Sequence, residues 1–350
     1  MRMHTRYFWG LLVLLFGALS CTGPEEDPPV PPVPSNYENG VFIINEGNFL
    51  GGNASLSFLY RDFTDSIDQK IIRRASGDLP LGDVAQSLTI YDNKAWIVVN
   101  NSGEIRVVNL PGAEEHCRVT GLTSPRYLLF LSPTKAYCTD LYADAISIVD
   151  PSSCALIGSI PTGGWTEELI LAGGMVYVTQ MGTDKVLVID PTTDAVTDSI
   201  LVGREPNGIV EDAGGQLWVL CSGGLGEVAP SLHRIDPADN HAVTEVLVFG
   251  EVDASASRLR ISPDGERLYW LYQGDVLYLD RTSAVGTEQV YIPRRGGTFY
   301  ALGIDPQTGD IYVGDAFDYV RNGVLYRYTA GGTFRDEFDT GIIPGNFTFD

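Results

Sequence analysis

The chain has 350 residues, a formal net charge of −22 at neutral pH and a sequence pI near 4.4. Such an excess of acid repels nucleic acid and anionic membrane surfaces, and it becomes larger once residues 1–20, with two arginines and no acids, are set aside. Four histidines in the whole chain argue against a histidine-based hydrolase or metal centre.

The N-terminus reads as a targeting segment. Arg2 and Arg6 precede an apolar run from Tyr7 to Leu19 that is too short for a comfortable membrane span. The run closes on Ala18-Leu19-Ser20-Cys21, which resembles a bacterial lipoprotein signal in which the cysteine becomes the lipidated first residue. Residues 1–20 are therefore expected to be a signal peptide, Cys21 the lipidation site, and 21–39 a tether. Thr22 to Ser35 is proline-rich and holds Glu25, Glu26 and Asp27, a composition that cannot pack a core. Acids just after the cysteine resemble the surface-export signal of some Gram-negative lipoproteins. The expected location is the outer membrane, lipid-anchored and facing outward.

Residues 40–350 read as one folded unit built from repeats. Phe42, Trp96, Tyr137, Tyr177, Trp218, Tyr269 and Tyr312 recur roughly every forty to fifty residues, each inside a short apolar run. Tight-turn pairs precede five of these runs: Asp92-Asn93, Gly173-Gly174, Gly214-Gly215, Asp264-Gly265 and Thr308-Gly309. Third strands are expected to end at Asn109, Asp150, Asp190, Asp236 and Asp280, several followed by proline, which favours turn capping over metal binding. Val, Ile, Tyr and Leu dominate the runs, and no sustained helical period appears. The predicted fold is all-β, a seven-bladed β-propeller of four-stranded antiparallel blades. The first blade starts directly with its aromatic second strand at Gly40, so Pro344–Phe349 is expected to return and supply the missing inner strand. The seven aromatics then belong to the core between blades. Cys117, Cys138, Cys154 and Cys221 show no metal spacing and are expected to be free buried thiols.

In this topology the loops between blades share a face with the loops joining second to third strands. The first set offers Gln86, Arg126, Trp165, Glu167, Asn207, Arg258, Tyr300, Asn346 and Phe347. The second offers Asn45, Glu46, Asn48, Phe49, Tyr142, Gln180, Tyr272, Phe317 and Tyr319. Aromatic area mixed with neutral hydrogen-bonding groups suits a large amphipathic organic ligand.

The loop Asn45-Glu46-Gly47-Asn48-Phe49, leading to Gly52-Asn53-Ala54-Ser55-Leu56-Ser57, resembles the signature of YncE-like propellers. That family includes the BtuG-type cobalamin-capture lipoproteins of gut bacteria. The I-D-P-x-T strand end, as at Ile189 to Thr193, and the lipoprotein leader fit the same resemblance. It implies a non-enzymatic surface lipoprotein that binds cobalamin (vitamin B12) or a related corrinoid. The ligand would then pass to an outer-membrane TonB-dependent transporter, with cobalamin as ligand and no catalytic cofactor. His116, His233 and His241 lie away from the proposed face, so binding without histidine ligation of cobalt is expected. Two other readings stay open: a protein-binding scaffold, and a metal-dependent lactonase or lyase using Glu46, Glu167 and Asn207.

Overall fold

The computed structural model describes residues 36–350 except 62–66, 78, 225 and 284–285. The expected signal peptide, Cys21 and most of the tether lie outside the described residues. Among those residues, no helix is long and apolar enough to cross a membrane.

Seven four-stranded antiparallel sheets form a ring, a β-propeller. Blade 1 consists of Pro344–Phe349, Gly40–Asn45, Ser55–Tyr60 and Ile67–Asp68, from the inner strand outward. The inner strands of blades 2 to 7 are Ala85–Tyr91, Pro125–Ser132, Thr166–Ala172, Pro206–Glu211, Ala256–Ile261 and Phe299–Ile304. Each is followed by its second, third and outer strand in chain order. A five-residue helix, Ile71–Ala75, lies between blades 1 and 2.

The closure is as the sequence predicts. Val41 pairs with Phe349, Phe42 with Thr348 and Ile43 with Phe347. Asp350 fastens the joint further: its backbone N–H donates to Gly40 O (3.0 Å), and its side chain accepts from Asn39 N (2.7 Å). All seven repeating aromatics are buried, each 4% exposed or less, within the clusters between neighbouring sheets. Large rings fill the wedge that opens as flat sheets fan out from an axis. The Asp-Pro corners are caps: Asp150, Asp190 and Asp236 each accept the backbone N–H two residues on, at 2.8–2.9 Å.

One expectation fails. Cys117 and Cys154 form a disulfide, with Cα atoms 6.5 Å apart, while Cys138 and Cys221 are the free, buried pair. Cys117 sits on the outer strand of blade 2 (Glu115–Thr120) and Cys154 at the turn before the outer strand of blade 3. The bond therefore crosses between blades. Spacing within a repeat carries no information about which outer edge approaches which turn.

Candidate functional site

The entrance to the inner strands is irregular in every blade. Where each inner strand meets its neighbour, the register slips by a β-bulge, and one or two residues drop out of the ladder. The residues skipped are Gln86, Arg126 with Tyr127, Glu167 with Glu168, Asn207, Arg258 with Leu259, Tyr300 and Gly345. A bulge bends the strand and re-aims side chains. Here it breaks the period-two alternation, so that Arg126 and Tyr127, or Glu167 and Glu168, both line one cavity. Thr139 and Thr179 on the second strands steady two of these bulges: Tyr127 N donates to the first hydroxyl (3.0 Å), and the second donates to Glu168 O (3.1 Å).

The result is an axial cup of about 560 Å³, lined by Arg126, Tyr127, Trp165, Glu167, Asn207, Arg258, Tyr300 and Tyr319 among others. Its polar groups are wired together. Arg126 grips Glu167 with two bonds (2.9 and 2.5 Å) and donates to Gln86 Oε1 (2.6 Å). Trp165 Nε1 donates to the same Glu167 carboxylate at 2.7 Å. Arg260, two residues past Arg258 on the same inner strand, reaches Glu168 at 3.1 Å and the Leu302 carbonyl at 3.1 Å. Tyr300 donates its hydroxyl to Glu46 Oε2 (3.1 Å) and packs edge-on against Tyr319.

Glu46 reaches the cup because of two glycines. Gly345 is the one skipped residue without a side chain, and a Cβ there would lie 2.3 Å from Glu46 Oε1. Gly47, at φ +75°, turns the loop so tightly that a Cβ would meet Asn53 Oδ1 at 2.5 Å. The Asn-Glu-Gly loop therefore delivers a carboxyl into space that the closing strand leaves vacant.

Burial shifts the titrations. It raises the Glu46 carboxyl above its ordinary value, against the lowering pull of Arg258 and the Tyr300 hydroxyl. Burial likewise pushes the Tyr127 and Tyr300 hydroxyls up, with carboxylates nearby adding to the effect. For Arg126, burial opposes the charge but the adjacent Glu167 outweighs it, so the guanidinium is held above its usual range.

The sequence-predicted residues divide into three groups. The structure brings Glu46, Gln86, Arg126, Trp165, Glu167, Asn207, Arg258, Tyr300 and Tyr319 together around the cup, and Asn48 adjoins through its Nδ2 bond to Tyr319 O (2.6 Å). Phe49 and Tyr142 stand out on the same face, 70% and 72% exposed, and Phe317 lies beneath the Arg321 guanidinium. The third group serves the scaffold. Asn45 is fully buried on Ser57 and Gly341, Gln180 bonds the Thr162 carbonyl, and Tyr272 stacks on Phe249. Phe347 packs in the core beside Tyr312, and Asn346 accepts from the Phe347 backbone. Sequence reasoning missed Tyr127, Glu168 and Arg260, whose only signal is a polar residue one or two places past a chosen one.

Elsewhere the chemistry is accounted for. Among the described residues, the one grouping with metal-ligand proximity is His116, Cys117 and Cys154, and its two sulfurs are joined to each other. His233 is buried on the third strand of blade 5 against Ser231, and His241 bridges Tyr177 and Asp198.

Residues 39–331 match the family described as a domain of unknown function, DUF5074, and the chain belongs to that family. No curated protein matches it. Among solved structures it is similar to a quinonprotein alcohol dehydrogenase-like protein from Bacteroides thetaiotaomicron, at TM-score 0.70 and 14% identity, covering 90% of this chain and 79% of that one. A protein from Lactobacillus plantarum gives TM-score 0.68 at 15% identity, covering 89% and 99%. A streptogramin B lyase gives 0.60 at 14%, covering 75% and 86%. At such identities the likeness shows the fold alone.

Proposed function

We propose that this DUF5074 propeller is a non-catalytic binding protein whose axial cup and aromatic rim capture cobalamin or a related corrinoid. The observation that carries the reading is the alternation of donors and acceptors around the cup, Arg126 and Arg258 between Gln86, Asn207, Glu46 and Glu167, beneath Trp165, Tyr300 and Tyr319. A corrin is a broad apolar plate fringed with primary amides, and each amide needs both a donor and an acceptor. In this reading the plate rests on the rim aromatics while its side chains reach inward. Binding proceeds without histidine ligation of cobalt.

A metal-dependent lactonase or lyase is disfavoured by electrostatics. Glu167 is already neutralised by Arg126, which grips both of its carboxylate oxygens. Glu46 shares its space with Arg258, so a cation there would face arginines.

In the same proposal the protein is an outer-membrane lipoprotein, anchored through Cys21 and handing its ligand to a TonB-dependent transporter. The Cys117–Cys154 disulfide supports export from the reducing cytoplasm. Calorimetric titration of the purified chain with cyanocobalamin tests the binding reading. Trp165→Ala and Tyr319→Ala are expected to weaken the affinity at least tenfold with the melting temperature kept. Absence of heat at micromolar ligand sinks the corrinoid.

A further inference from the structure

The buried arginines at the cup, Arg126 and Arg258 on its lining and Arg260 two residues further along the same inner strand as Arg258, are not equally employed. Arg126 spends its fork on Glu167 and Gln86, and Arg260 is held by Glu168, Leu302 O and Leu259 O. Arg258 is different. Its Nε donates to Tyr300 O (3.0 Å), and its Nη1 makes one long bond to Tyr127 OH (3.4 Å). The nearest carboxylate oxygen, Glu46 Oε1, is 3.6 Å from Nη2, beyond hydrogen-bonding distance. A guanidinium carries five N–H donors, so among the described residues the Nη edge of Arg258 retains most of its capacity.

Its position is equally telling. Arg258 belongs to blade 6 and Tyr127 to blade 3, as far apart as a ring of seven allows, so this side chain lies across the propeller axis. The Tyr300 ring supports it at 5.2 Å. Its backbone is held at φ +60° inside the bulge, a conformation that is strained for a non-glycine residue and clusters at functional sites. Arg126 and Arg260 face tightly paired carboxylates at 2.5 and 3.1 Å, whereas Glu46, the loose partner of Arg258, is driven by burial toward its neutral form. Arg258 therefore carries a largely buried positive charge, 13% exposed, that no carboxylate meets at hydrogen-bonding distance among the described residues, whereas Arg294 on the same lining is solvent-exposed.

We propose that Arg258 is the anchor for an oxyanion on the ligand, a phosphoryl or carboxylate group received by the Nη edge on the axis of the cup. The inference rests on the reading of the cup as a ligand site. Two oxygens of either group match the spacing of a guanidinium fork, and such charge-assisted pairs are roughly twice as strong as neutral ones.

The test titrates the full chain with inorganic phosphate and, separately, with acetate, at neutral pH and fixed ionic strength, by calorimetry. At least one anion is expected to bind saturably in the millimolar range. Arg258→Gln should weaken it tenfold or more, and Arg258→Lys, which keeps the charge but loses the fork, should fall between. Arg281→Gln, on the opposite face, should bind as the parent does. Melting curves establish that each variant is folded, and the lysine variant carries the test if the glutamine one is not. Binding of phosphate alone assigns a phosphoryl group, and of acetate alone a carboxylate. No saturable binding of either, or parent-like binding by the folded Arg258 variants, overturns the anchor. A parallel cyanocobalamin arm separates the two readings. Arg258-dependent anion binding without corrinoid binding removes the corrinoid and keeps the anchor, whereas corrinoid binding that the Arg258 variants leave unchanged does the reverse.

Discussion

At the face opposite the cup, the inner strand of blade 4 runs in register into its turn: Ile170 opposes Tyr177, Leu171 opposes Val176, Ala172 opposes Met175, and Gly173-Gly174 close the hairpin at positive φ. At the mouth, the same strand leaves Glu167 and Glu168 unpaired and turns both carboxylates into the cup. One strand thus ends in complete pairing on one side and in a broken ladder on the other. Every blade repeats the mouth-end irregularity. The paired ends and the rings between them hold the ring together, and the unpaired ends carry the groups that can meet a ligand. Changes to the first should move stability and spare binding, while changes to the second should do the opposite.

The strongest challenge to that division is removal of residues 344–350. It takes away the inner strand of blade 1, together with the Asp350 contacts to Asn39 and Gly40, and exposes a row of unpaired backbone groups. Loss of the cooperative thermal transition is expected; a truncated chain that melts like the parent refutes the closure. Next in size is Trp218→Ala, which empties a fully buried site and removes the indole bond to Asp212 (2.9 Å). It should cost about 3–5 kcal/mol in denaturant unfolding while ligand affinity, measured on the folded variant, stays within about twofold. Cys117→Ser opens the inter-blade bridge across a sequence separation of 37. About 2–4 kcal/mol of stability should go with it, and thiol titration should rise from two reactive groups to three in the unfolded described region.

The smallest effect belongs to the mouth. The Glu46 carboxyl has its folded pKa raised above 4.5, so the fold favours its protonated form. The stability it contributes is complete below pH 4.5 and is lost as pH climbs through the raised folded value. Glu46→Gln mimics the protonated state, so its melting temperature should gain on the parent as pH rises from 4.5 through the raised folded value. A constant difference across that range contradicts a buried, upward-shifted carboxyl.

How much of this was legible in the sequence depends on the range of the interaction. Aromatic spacing, Asp-Asn and Gly-Gly turns and Asp-Pro caps are local signals that recur from blade to blade, and they located the blades and the closing strand. The loop positions Gln86, Arg126, Glu167, Arg258 and Tyr300 followed from the strand entrances. Tyr127 and Glu168 did not, because simple alternation sends neighbours to opposite faces and only a bulge brings both to one. Asn45, Gln180 and Tyr272 sit at the same entrances yet turn inward to satisfy loop backbone or pack on Phe249, and side-chain direction is not written in a spacing. The Cys117–Cys154 bond was illegible for a third reason. It depends on how one blade edge meets the next, a distance that exists only after the ring has closed.

The Arg258 side chain that reaches from blade 6 to Tyr127 of blade 3, and the Arg260–Glu168 pair between blades 6 and 4, span the axis, and if they floor the cup the ring is a vessel rather than a pipe. A vessel has a single door. Whatever entered such a cup would depart by the way it came, so loading and unloading would exclude one another in time. Under the proposed hand-over, a receiving protein would have to approach the rim itself, lip to lip. The residence time of the guest would then be governed by contest for the Tyr319 and Trp165 edge, and not by any passage through the ring.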